Sequence, residues 1–256
     1  MKLIFLHGLG QDVLSWQGVQ FALSPLHSKT FDIFSHPKES YQEVKERLME
    51  RLQQESEPFI LVGLSLGGVL ALDLSRQDFP QLKGLVLAGN QYKLNTNPLY
   101  RLQILLFRLL PKHVFEKQDA NKQQMLQILT ELKGLNLTDT VKACPLPSLV
   151  ICGSKDWANQ SSSKKLANLL PKGRYQEIAD GGHLLNTEKP YELDDKNRKE
   201  VQERRMLFLR SISPIPQCVL PSGKEVPLLR YPMLRFSERV PPDVCLILHK
   251  CFLHGQ

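Results

Sequence analysis

The sequence predicts an α/β fold in which a mainly parallel sheet is flanked by helices and interrupted by a helical insertion. Three observations carry that reading. Segments such as PFILVGL (58–64) and LKGLVLAGN (82–90) are apolar at nearly every position instead of alternating, as strands buried on both faces are. They alternate with segments whose apolar residues recur at helical intervals. Between residues 91 and 143 the alternation stops and only helical patterns occur.

In chain order, KLIFL (2–6) reads as the first strand, followed by the loop HGLGQD and a helix through WQGVQFAL. TFDIFS (30–35) is the second strand candidate. SYQEVKERLMERL opens with Ser40 and Glu43 at capping-box spacing, and Tyr41, Val44, Leu48 and Leu52 mark its apolar face. The third strand, PFILVGL, runs into the helix LGGVLALDLSRQ, and LKGLVLAGN is the fourth. Two helices are expected in 91–143. One is PLYRLQILLFRLL; the other carries Met125, Ile128, Leu129, Leu132 and Leu135 at helical spacing. LPSLVICGS (146–154) and RYQEIAD (174–180) resume the strands on either side of a short helix around SKKLANLL. The organisation expected is a core of 1–90 and 144–193, a helical cap of 91–143, and a C-terminal segment of 194–256. That segment has a charged helical stretch, DDKNRKEVQERRMLFLR, then seven prolines between Pro214 and Pro242, which forbid long helices and central strands.

Composition narrows the function classes. With 42% hydrophobic and 23% charged residues over 256 positions, the chain is globular and large enough for one sizeable α/β domain. No apolar run approaches the roughly 20 residues that span a bilayer. MKLIFLHGLG has too short an apolar stretch for a secretory signal, so a cytoplasmic protein is expected. Five cysteines without repeated spacing fit reduced thiols. The formal charge of +7 is spread thinly, with 22 basic against 19 acidic residues in 1–193 and 11 against 7 beyond. No basic block interleaved with aromatics suggests a nucleic-acid face.

The chemistry concentrates at GLSLGG. Ser65 stands in a G-x-S-x-G pattern where an apolar strand meets a helix, the context of a nucleophile elbow. There the N–H of Leu66, at the helix start, faces developing negative charge. A Gly-rich nucleotide-binding junction is the other reading, but the chain has neither G-x-G-x-x-G nor a following Lys-Ser/Thr. A serine hydroxyl needs a base. His183, in ADGGHLLN after the last strand, is the candidate, and Asp156, in ICGSKDW just past the preceding strand, is the candidate orienting carboxylate. Asp180 is a rival expected to lie still on the strand. The tail's Cys245, His249, Cys251 and His254 match no common zinc spacing and are read as a chance grouping, so neither metal nor cofactor is expected.

The chain order serine, acid, histidine, with LHGLG after the first strand, GLSLGG, GSKD and GGH, resembles the α/β-hydrolase superfamily over about residues 1–193. The resemblance implies a reduced α/β-hydrolase fold with a six-stranded sheet, since two strands usual before LHGLG are missing. It implies that His7 and Gly8 shape an oxyanion loop, with His7 structural, and that the Leu9 N–H joins that of Leu66. It also implies that 91–143 is a substrate-selecting cap. The activity expected is a serine hydrolase acting on a small or medium carboxylic ester or thioester, its partner a small-molecule acyl substrate. A non-catalytic ligand-binding protein of the same fold is the rival from another class. Arg101, Arg108 and Lys112 near the apolar cap helix are candidates to meet a substrate carboxylate or phosphate. Membrane contact through the basic, leucine-rich 98–112 helix, as in an interfacial lipase, is the less favoured third.

Overall fold

The computed structural model describes residues 1–23, 26–96, 98–109 and 122–188, together with the pairs 218–219 and 225–226. The chain divides into two compact units, Met1–Val201 and Gln202–Gln256. In the second, Cys218–Val219 pairs antiparallel with Glu225–Val226. The expected charged helix after residue 193 and the Cys245/His249/Cys251/His254 grouping lie outside the described residues, as does Lys112.

The first unit is built on six parallel strands: β1 (Lys2–Leu6), β2 (Ser28–Phe31), β3 (Phe59–Leu64), β4 (Leu82–Ala88), β5 (Ser148–Gly153) and β6 (Gly173–Ile178). Their order across the sheet is β2-β1-β3-β4-β5-β6. Every residue of β3 and β5 is buried, while the edge strand β6 is only partly so. The chain steps outward from β1 to β2 and then returns to β1's other side for β3. That reversal opens a crevice at the carboxyl ends of β1 and β3, where open α/β sheets hold their ligands.

The second strand departs from expectation. It covers Ser28–Phe31 and stops before most of TFDIFS. Asp32 explains the stop: its side chain accepts from the Phe34 amide at 2.9 Å, a local turn that competes with a ladder. The Ile33 amide is diverted to the ring of His7 at 3.0 Å. The first helix also differs in start, opening as a 3₁₀ turn, Val13–Trp16, in which Asp12 accepts from the Leu14 and Ser15 amides. It continues as α1 (Gln17–Ala22).

Helix α2 (Tyr41–Gln53) has the reciprocal cap that its sequence announces: Ser40 Oγ accepts from the Glu43 amide and the Glu43 carboxylate accepts from that of Ser40. It buries Tyr41, Val44, Leu48 and Leu52, and each aliphatic side chain among these contributes about 1.5–3 kcal/mol. Helix α3 (Leu66–Leu74) is buried along its whole length, which explains its lack of a polar face.

The insertion between β4 and β5 holds α4 (Pro98–Leu109), α5 (Lys122–Leu132) and α6 (Thr138–Ala143). The last was not anticipated. α5 buries Met125, Ile128, Leu129 and Leu132. Leu135 falls in the turn beyond it, where its amide bonds the Leu132 carbonyl. Tyr100 anchors α4 to α5 through a 2.7 Å bond to the Leu129 carbonyl, and Lys93 forms a single antiparallel bridge with Asn136. α7 (Trp157–Leu169) is longer than SKKLANLL suggested and links β5 to β6. Among the described residues, no helix is long and apolar enough to cross a membrane.

Candidate active site

Strand β3 and helix α3 meet at a one-residue corner, Ser65, with φ 53° and ψ −113°. A non-glycine residue held there stores on the order of 1–3 kcal/mol of strain. The corner forms because the next turn has no side chain in the way: a Cβ at Gly67 would collide with the carbonyl oxygens of Leu6 and His7. The Ser65 amide donates to the Ala88 carbonyl at 2.9 Å, and its own carbonyl accepts from the Gly68 and Val69 amides at 3.1 and 3.0 Å. Asn90 Nδ2 donates to the same oxygen at 3.3 Å. A trans peptide is planar, so drawing the Ser65 carbonyl into the helix turns the Leu66 N–H out of the helix's N-terminal end.

The second N–H of interest lies at the end of β1. His7 is fully buried, and its Nδ1 lies 3.0 Å from the Gly8 carbonyl. A carbonyl only accepts, so Nδ1 carries a hydrogen and Nε2 accepts from the Ile33 amide. With both ring nitrogens engaged in the backbone, His7 is a structural residue. Among the described residues, neither the Leu9 nor the Leu66 amide has a hydrogen-bond partner.

Asp156 follows β5 as the residue before α7, with 5% exposure. His183 follows β6. The two loops are tied by the Lys155 amide, which donates to the Gly181 carbonyl at 2.8 Å. His183 Nδ1 lies 2.8 Å from Asp156 Oδ2. With the carboxylate accepting, Nδ1 carries the hydrogen and Nε2 is the basic nitrogen. The ring keeps 38% exposure beside its buried partner. Asp180 is no rival for this position. It lies beyond the end of β6 in a left-handed conformation, φ 57°, its side chain 88% exposed and paired with Lys155.

The register of the sheet brings these groups together. Leu64 pairs with Ala88, so Ser65 and Gly89 are neighbours just beyond the ladder. Gly89 has φ 58°, and a Cβ there would lie 3.0 Å from His183 Nδ1 and 3.2 Å from Asp156 Oδ2. The histidine–aspartate pair therefore rests on the residue beside Ser65. Ser65 Oγ makes no hydrogen bond among the described residues.

Sequence reasoning missed the amide side chains around this pair. Asn159 Nδ2 donates to both oxygens of Asp156, at 2.8 and 3.1 Å, while its Oδ1 accepts from Gln91 Nε2 at 2.9 Å. Its 3.2 Å approach to His183 Nδ1 brings two N–H groups together because both donate to one carboxylate. Cys152 Sγ lies 3.9 Å from Asp156 Oδ2, and burial pushes its thiol up to about 11, so it stays a neutral neighbour. No motif marks Asn159; only its place one turn into the helix after Asp156 offers a signal.

Residues 3–195 match the model of the alpha/beta hydrolase family. The chain belongs to that family. Solved structures of similar fold include a thermophilic esterase from Thermogutta terrifontis, at 17% identity and TM-score 0.63, over 83% of this chain and 91% of that one. A lipase-esterase related protein from Clostridium acetobutylicum has 14% identity and TM-score 0.65, over 82% and 94%. The enol-lactonase from Burkholderia xenovorans has 16% identity and TM-score 0.62, over 82% and 90%. A search of curated proteins finds no match. At these identities the structural likeness is one of fold, and the alpha/beta hydrolase match covers every residue of the site described above.

Proposed function

We propose that this alpha/beta hydrolase is a serine hydrolase that cleaves a carboxylic ester, with Ser65 as nucleophile, His183 as base and Asp156 as its orienting carboxylate. The observation that carries the reading is the 2.8 Å His183–Asp156 bond, seated on Gly89 beside the strained Ser65. In this mechanism Ser65 Oγ attacks the acyl carbon while its proton passes to His183 Nε2. The carbonyl oxygen becomes an oxyanion that accepts from the Leu9 and Leu66 amides, and Asp156 stabilises the imidazolium. His183 then gives the proton to the leaving alcohol oxygen as the carbon–oxygen bond breaks. Water repeats the cycle on the acyl-enzyme: His183 takes its proton, hydroxide adds to the acyl carbon, and Ser65 leaves with that proton restored.

Treating the protein with a fluorophosphonate and measuring intact mass tests this directly. The wild type is expected to gain one adduct, Ser65→Ala none, and His183→Ala an adduct formed at least a hundredfold more slowly. A folded wild type that gains no adduct refutes the assignment and favours the ligand-binding reading.

A second reading places the same chemistry at a lipid interface. Leu102, Leu105, Leu106 and Leu109 stand at i, i+3, i+4 and i+7 on α4 with 50%, 52%, 53% and 73% exposure, and Arg101 and Arg108 are exposed on the same helix. Such a face suits an anionic membrane surface. Co-sedimentation with anionic vesicles that Leu105→Glu abolishes supports it; a protein that stays in the supernatant rejects it.

A further inference from the structure

The two amides proposed to face the oxyanion are held in different ways. That of Leu66 is set by the start of a helix. That of Leu9 sits in the loop between β1 and the 3₁₀ turn, where a peptide plane has no helix to orient it, and the preceding residue, Gly8, is gripped by its neighbours instead. Gln11 takes both ends of Gly8: its Oε1 accepts from the Gly8 amide at 2.9 Å, and its backbone N–H donates to the Gly8 carbonyl at 3.2 Å. His7 Nδ1 donates to that carbonyl from the other side. The Gly8 carbonyl and the Leu9 N–H belong to one planar peptide, so anchoring the oxygen aims the hydrogen.

Gln11 is itself held by the histidine loop. Its Nε2 donates to Asn186 Oδ1 at 3.0 Å, and Asn186 Nδ2 donates back to Gln11 Oε1 at 3.1 Å. The orientation of both amides follows from the chemistry. The Gly8 N–H needs an oxygen, which puts Oε1 toward it and leaves Nε2 for Asn186 Oδ1. Asn186 is 3% exposed and lies three residues after His183.

We propose that Gln11 and Asn186 are positioning residues, an amide clasp that fixes the Leu9 N–H and the His183 loop in one shared geometry. The proposal rests on the reading of Leu9 as an oxyanion donor. The clasp joins residues 175 apart in sequence, so the donor and the base keep their relative placement through two side chains.

The test compares wild type, Gln11→Ala, Asn186→Ala and the double variant by fluorophosphonate labelling rate at Ser65, by kcat and KM for a p-nitrophenyl ester, and by thermal melt. Each single variant is expected to label and turn over about tenfold more slowly with KM within about twofold, because the donor acts on the transition state and not on the bound substrate. The double variant is expected to be no slower than the worse single one, since both break one unit. Folded variants that label at the wild-type rate, or losses that multiply in the double variant, overturn the clasp. Should an alanine variant not fold, the near-isosteric, uncharged Asn186→Leu removes both bonds to the Gln11 side chain and leaves Gln11 Oε1 on the Gly8 amide. Slower labelling then supports the clasp, and unchanged labelling overturns it. The failure of the underlying reading looks different, because there the wild type itself carries no adduct on Ser65 and the clasp falls with it.

Discussion

At the amino end of the sheet, charges are paired across the strands. Glu55, between α2 and β3, is almost buried and takes Lys2 at 3.0 Å and Lys29 as ion partners. Burial pushes its carboxyl up, but hydrogen bonds from Lys29 and Lys2 outweigh this and hold it below the usual 4.5. At the carboxyl end the pattern reverses. Ser65 and Gly89 both have positive φ, and Asp156 is buried against a half-exposed histidine. Neither the Leu9 nor the Leu66 amide has a hydrogen-bond partner among the described residues. One end is arranged for stability. The other holds strained and unpartnered groups that only a stable remainder can keep in place.

Substitutions at the two ends should separate these roles. Gly67→Ala forces a Cβ into two backbone carbonyls that cannot move aside, and is expected to cost about 3 kcal/mol or more. Circular dichroism melts should show a Tm far below wild type; a Tm within a few degrees would mean that the corner has room to spare. Asn159→Ala leaves the backbone alone and strips two hydrogen bonds from Asp156. Ester turnover should fall about tenfold with KM nearly unchanged, and Tm should drop by several degrees, a hydrogen bond to a charged group being worth roughly 1.5–3 kcal/mol. Equal turnover would remove Asn159 from the site.

Glu55→Gln acts at the other end and should leave turnover unchanged while making stability less dependent on acid. Because the folded carboxyl titrates below 4.5, its contribution is full above that pH and fades as pH falls through the folded value. The Tm gap between wild type and Glu55→Gln should therefore be widest near neutrality and close as the carboxyl protonates. A gap that stays constant with pH would show that the ion pairs contribute nothing.

These contrasts also mark what could be read from the sequence. The Ser65 corner was legible because a serine among glycines in an apolar run answers a main-chain demand, and the demand is visible in the residues themselves. Asp156 and His183 were legible from their places just past strand ends, and the structure brings the two into contact. The helix over Tyr41–Gln53 was legible through its cap and its period. The second strand was misjudged because Asp32 bonds forward to Phe34, a turn that apolar flanks conceal. Asn159, Gln11 and Asn186 carry no motif, because an amide side chain makes its bonds wherever the fold delivers a partner and imposes no spacing on the sequence. The ion pairs of Glu55 share that property, joining Lys2 and Lys29 across long stretches of chain.

The pairing of Leu64 with Ala88 has one more consequence. The corner that carries Ser65 and the glycine that seats His183 sit at the ends of adjacent strands, so the gap between them is ruled by the inter-strand spacing, about 4.8 Å in any sheet. A ladder of backbone bonds acts here as a ruler, and it is indifferent to side chains. The insertion that follows β4 can therefore be exchanged, lengthened or reshaped without resetting the spacing between Ser65 and the residue on which His183 rests.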